Sequence, residues 1–104
     1  MAINNDYEIE WSEQATRNFD DIVQLLSTSW NDKVVTNFVQ SIDKELIHIK
    51  TFPYAFPATT QKEEVRRCVV SKINTIYYTV RKTTIYIVAI CDNRRDPDRL
   101  NEIL

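Results

Sequence analysis

Glycine is missing from all 104 residues. A turn that needs a left-handed residue must therefore use another type, and asparagine is the expected choice. The same absence excludes Walker and dinucleotide loops, which need glycine so that backbone can approach phosphate. Histidine occurs once, at His48, and the two cysteines, Cys68 and Cys91, carry no metal-ligand spacing. No metal or cofactor is expected from that set. Both cysteines lie in apolar, strand-like runs, where a reduced and buried thiol is the default. No apolar run approaches the ~20 residues of a membrane helix. The opening residues Met1–Glu10 are acidic and polar rather than signal-like. A cytoplasmic protein without membrane contact is expected.

What is present fits one domain, residues 1–104, too short for a second core. Apolar residues make up 43% and charged residues 27%, the balance of a globular chain. The net charge of -2 hides a division: residues 1–59 carry -5 and residues 60–104 carry +3. An acidic first half and a basic second half suit an anionic partner on one side, or simply a mixed solvated surface.

Tyr7, Ile9 and Trp11 alternate with Glu8 and Glu10, the period of a short strand with one wet face. Ser12 is placed to cap a helix over Glu13–Ser29, whose apolar residues Ala15, Phe19, Ile22, Val23 and Leu26 recur at helical spacing. Asn31 or Asp32 starts a second helix with Val34, Val35, Phe38, Ile42, Leu46 and Ile49 on one face, ending before Phe52-Pro53. The joint is short enough to make an antiparallel hairpin. The loop 52–61 holds two prolines and three aromatics, which pin it to the core. Three runs rich in Val, Ile, Thr and Tyr follow, at Val65–Val70, Ile73–Val80 and Thr84–Cys91. Two-residue breaks leave no room for a crossover, so the runs form an antiparallel meander. Asp96 with Pro97 can start a short C-terminal helical turn through Ile103. The expected fold is α+β, in the order β-α-α-β-β-β, with a helical hairpin on an antiparallel sheet.

That order carries a resemblance. Its residues are Trp11-Ser12-Glu13-Gln14-Ala15 after the opening strand, the hairpin and its Pro-containing loop, and Val65-Arg66-Arg67. Ile76-Tyr77-Tyr78 in the middle strand and the charged exit Arg94-Arg95-Asp96-Pro97 complete it. Each piece is short and degenerate, but their order and spacing make the chain similar to the RelE/ParE toxins of bacterial toxin–antitoxin, or plasmid stabilisation, systems. The resemblance covers nearly the whole chain. It implies a small antitoxin partner encoded by the adjacent gene, landing on the hairpin and the sheet edge.

The superfamily holds two activities on one fold. One branch resembles RelE and cleaves messenger RNA on the ribosome; the other resembles ParE and poisons DNA gyrase by binding. RNA cleavage needs a group to activate the 2′-OH, a cation for the phosphorane charge and an acid for the leaving oxygen. Where the ribonuclease branch has an early arginine in the middle strand, this chain has Thr75. Where that branch has a histidine after the last strand, Asp92 stands, and the position of a further tyrosine aligns with Leu100. An ordinary carboxylate titrates near pH ~4, far from the working range. His48, between Ile47 and Ile49, is structural or solvent-facing. The sequence pI of about 5.3 also suits a ribosome-directed protein poorly. The ParE-like reading is therefore preferred, with Arg66, Arg67, Arg94, Arg95 and Arg99 for target binding. The catalytic set, if a ribonuclease, would be Arg67, Arg81, Asp92, Arg94 and Tyr78, with ribosome and mRNA in place of gyrase. Strand alternation allows only one of Arg66 and Arg67 on any common face.

Overall fold

The computed structural model describes residues 7–59 and 64–93. Six elements follow in the expected order: β1 (Glu8–Trp11), α1 (Glu13–Ser29), α2 (Asp32–Thr51), β2 (Arg66–Val69), β3 (Asn74–Arg81) and β4 (Thr84–Asp92). The Asp96–Ile103 turn expected from sequence lies outside the described residues.

Ser12 organises the start of the hairpin. Its Oγ accepts the Ala15 amide at 2.9 Å, capping α1, and donates to the Val88 carbonyl at 2.8 Å. One hydroxyl thus closes a helix terminus and ties it to β4. Asn31 caps α2 in the same way, through Val34 N at 3.1 Å. The C-cap Phe52 still donates its N–H to His48, but Pro53 follows and the helix stops.

The sheet order is β1-β4-β3-β2. β2, β3 and β4 form the expected antiparallel meander, and β1 joins the far side of β4 in parallel, so the sheet is mixed rather than wholly antiparallel. Two antiparallel steps make β4 run in the direction of β2, and the helices between β1 and β2 supply the long connection that a parallel pair needs. β1 is a short edge whose Ile9 and Trp11 pack against the core. Glu8 and Glu10 alternate onto the other face, where charge discourages edge pairing with another chain. Where β1 ends, Asn18 of α1 takes over and accepts the Ile90 amide at 3.1 Å.

Ala15, Phe38, Ile42 and Ile49 of the helices bury themselves against Cys68, Ile76, Tyr78, Ile85, Ile87 and Ile90 of the sheet. Trp11, Phe19 and Phe38 form an aromatic ladder, with centroids 5.6 and 5.5 Å apart. The register slips once: Tyr77 pairs with Ala89 and Tyr78 with Ile87, which leaves Val88 as a bulge. Its carbonyl is the one Ser12 takes.

Two expectations are corrected here. Among the described residues, the left-handed position falls on Lys82, at φ 55°, and not on an asparagine. The pairing of Arg81 with Thr84 leaves only Lys82-Thr83 to turn the chain, and the hairpin geometry overrides residue preference. Cys68 is buried as expected, but Cys91 is only half-buried, because it sits near the end of β4 on the face opposite the helices. Cys68 and Cys91 are not joined in a disulfide. A non-glycine residue in this region costs about 1 kcal/mol or more. Lys82→Gly should raise unfolding free energy by roughly 1 kcal/mol in a denaturant titration; an unchanged or lower value would show that Lys82 is not strained.

Candidate functional site

Register decides which sequence candidates can act together. Arg66 pairs with Tyr78, and Arg67 with Tyr77. Tyr78, Cys68 and Ile76 belong to the core under the helices, so Arg66 lies on that side. Arg67, Tyr77 and Arg81 lie on the opposite side, where both arginines are exposed and Tyr77 is buried.

On the helix side the chemistry is spent on structure. Arg66 Nη1 donates to the Phe56 carbonyl at 2.7 Å and the Tyr54 carbonyl at 3.3 Å, with its guanidinium 5.1 Å above the Tyr54 ring. Tyr78 is fully buried and donates its hydroxyl to the Pro53 carbonyl at 2.7 Å. Burial pushes its phenol well above the usual range, against a smaller opposing effect of Arg66. Phe56 meets Tyr78 edge-on at 6.2 Å. Of the three loop aromatics, only Phe56 pins the loop; Phe52 and Tyr54 are exposed.

Beneath β2, the buried Cys68 thiol donates to Glu45 Oε2 at 3.2 Å, and Glu45 Oε1 lies 3.3 Å from His48 Nδ1. His48 is half-exposed and serves this surface pair. Burial first, then the hydrogen bond and charge of Glu45, push the Cys68 thiol up to about 12. A thiol so held is inert as a nucleophile near neutral pH.

On the side away from the helices, Arg67 is exposed and has no ion-pair partner among the described residues. Its neighbour Tyr77 is pushed upward by burial and by Cys91, and Arg67 opposes that shift. Tyr77, not the Tyr78 expected from sequence, is the tyrosine on the same side as Arg67. Tandem Arg66-Arg67 opposite tandem Tyr77-Tyr78 leaves the matching ambiguous by one residue, and only register resolves it. Arg81 shares the face but stands four residues along β3 from Tyr77, about 13 Å away.

At the exit of β4, Asn93 joins two turns. Its Nδ2 donates to the Ser71 and Lys72 carbonyls at 3.3 Å each, and its Oδ1 accepts from Thr75 Oγ1 at 2.7 Å. Thr75, set against an arginine of the ribonuclease branch by the resemblance, thus commits its hydroxyl to a structural hydrogen bond. Asp92 pairs in register with Asn74, in phase with Ile90 and Ile76 on the helix side, not with Arg67. Arg94, Arg95, Arg99 and Leu100 lie outside the described residues.

The described residues thus form a four-stranded sheet under a helical hairpin, with exposed arginine on the face away from the helices and no metal-ligating cluster. The family model for the ParE toxin of type II toxin–antitoxin system, parDE, matches residues 9–97. The chain belongs to that family. This ParE-type toxin has no match among curated proteins by sequence. Its fold is similar to that of a chain from the chromosomal ParDE TA system of P. aeruginosa. That match has a TM-score of 0.72 at 14% identity, over 86% of this toxin and 98% of the other chain. A conserved hypothetical protein of Helicobacter pylori shares the fold at TM-score 0.55 and 15% identity, over 83% and 93% of the two chains. A chain of the E. coli DinJ-YafQ toxin–antitoxin complex does so at 0.54 and 14%, over 84% and 92%. No helix among the described residues is long and apolar enough to cross a membrane.

The buried groups set a pH dependence. The folded toxin keeps the Cys68 proton that an unfolded chain releases above the ordinary value of 9.0, so stability is full below pH 9 and falls as pH rises toward about 12. Tyr78 acts in the same direction above its ordinary 10.0. Cys68→Ala should flatten the decline measured by denaturant unfolding between these values; an identical slope would remove Cys68 as its source. Tyr78→Phe leaves the Pro53 carbonyl unpaired and should cost about 1–3 kcal/mol at neutral pH. A cost near zero in the same titration would mean that this hydrogen bond contributes nothing.

Proposed function

We propose that this toxin arrests DNA gyrase by binding, without chemistry of its own, and is held inactive by a cognate antitoxin. The observation that carries this reading is the division of the candidate ribonuclease set between two faces. Tyr78 is buried and committed to Pro53, and Asp92 is in phase with the helix side, while Arg67 and Arg81 are on the other side. Proton-transfer groups and cations that do not share a face make no phosphoryl-transfer site. Exposed arginine without a titrating partner suits docking to an acidic or phosphate-bearing surface. Arg94, Arg95 and Arg99 extend the cationic set along the sequence, next to the Asn93 anchor.

One observation favours the alternative, a RelE-like ribosome-dependent mRNA endonuclease: Tyr77 does share a face with Arg67. Its raised phenol pKa makes it a weak base near neutral pH, so this pair supports the second reading less well than the first.

A supercoiling assay with purified gyrase and toxin freed of antitoxin tests the choice. Inhibition with accumulation of cleaved DNA complexes is expected, and the double substitution Arg94→Ala with Arg95→Ala should raise the half-inhibitory concentration roughly tenfold. No inhibition at excess toxin, with growth arrest retained and translated messages cut, would replace gyrase with the ribosome.

A further inference from the structure

The turn between β3 and β4 holds the one positive φ among the described residues. Arg81 pairs with Thr84, so Lys82 and Thr83 alone close the hairpin. Lys82 has φ 55°, and Thr83 does not share the sign. A single left-handed residue at the first position of a two-residue hairpin loop is where glycine is the rule. The chain has no glycine, yet asparagine, which visits this region at less cost, is common elsewhere in it. Lysine has no short polar side chain to bond the turn's own backbone, as asparagine does. Nothing local favours it here.

The turn concentrates uncompensated charge. Arg81, Lys82 and Thr83 are all exposed, and neither cation has an ion pair among the described residues. Glu8 aligns with Thr84, which places it two strands from Arg81, about 10 Å away and too far for a direct pair. Arg81 is on the same side of the sheet as Arg67. The turn also stands at the opposite end of β3 from Asn74, which pairs with Asp92 at the exit of β4. Those two ends are about 23 Å apart.

We propose that the Arg81-Lys82 turn is a further contact for gyrase, met by a carboxylate-bearing patch of that protein, and that Lys82 keeps its unfavourable backbone for the sake of its ammonium. The inference rests on the gyrase reading and adds a contact at the end of the sheet away from the Asn93 exit. A two-residue turn held between paired strands presents its charges with little left to order, so a carboxylate that meets them is attracted at small entropic cost. Strain of this kind is retained where function uses the residue, and relieving it then trades potency for stability. A protein surface fits this turn better than nucleic acid. The whole chain carries a net charge of -2, and two cations release few counterions from a phosphate backbone.

The test measures denaturant unfolding and the half-inhibitory concentration for gyrase supercoiling, using full-length toxin and three variants. Lys82→Gly and Lys82→Asn should each be more stable than the parent yet roughly fivefold weaker as inhibitors, a combination that a purely structural residue does not give. Lys82→Arg keeps the charge and should keep the potency. Raising the ionic strength should narrow the gap between parent and Lys82→Gly, since salt screens an exposed charge contact. A Lys82→Gly toxin that is more stable and fully potent would overturn the contact and leave the gyrase reading intact. Equal loss of potency in Lys82→Arg would overturn it too, because charge would not be what gyrase reads. Binding of the parent to a short DNA duplex, lost in Lys82→Gly, would assign the turn to phosphate instead. A parent toxin that leaves gyrase untouched at excess would overturn both the contact and the reading it rests on.

Discussion

The constraint on which the rest of the molecule depends is the register of β3, which is paired with β4 along its length and with β2 over Thr75–Tyr78. A strand with two hydrogen-bonded neighbours has no freedom to slide, and side chains alternate with a period of two. A slip of one residue against β2 would exchange the partners of Arg66 and Arg67. It would also carry Tyr78, which is fully buried, out from under the helices. Ile76, Cys68 and Ile90 fix the choice, since only one register places all of them against Ile42 and Ile49. The bulge at Val88 then adapts β4 to β3, and the hydroxyl of Ser12 holds it there.

From that register comes a division of labour between the two sides. On the helix side, polar groups are used up: Arg66 on loop carbonyls, Tyr78 on Pro53 and Cys68 on Glu45. Each would be costly to leave unpaired in a buried setting, and each fastens a neighbouring segment to the sheet. Facing the other way, Arg67 is exposed and uncommitted among the described residues. Adjacent arginines in sequence thus end in different settings, one clamping the loop and one exposed.

The helices could be read from the sequence to the residue at α1, because Ser12 and Asn31 are strong caps and the apolar spacing is regular. The meander was equally plain from its β-branched runs and short breaks. The parallel seat of β1 was not, since nothing local in Tyr7–Trp11 distinguishes one edge of the sheet from the other. Lys82 in a left-handed turn was missed because hairpin closure outweighs the preference of a single residue. In the candidate site, alternation alone foretold that Arg66 and Arg67 would part. Which of the two would join Tyr78 depended on pairing across β2 and β3, a non-local fact that no window of sequence contains.

Arg66 holds the loop to the sheet, and we propose that Arg67 serves a partner. The most direct measurement compares Arg66→Ala with Arg67→Ala for thermal midpoint and for growth arrest on expression. The division predicts that Arg66→Ala lowers the midpoint by roughly 5 °C or more, whereas Arg67→Ala leaves it unchanged and weakens arrest. An Arg67→Ala toxin that arrests growth as strongly as the parent, or that loses as much stability as Arg66→Ala, would contradict it.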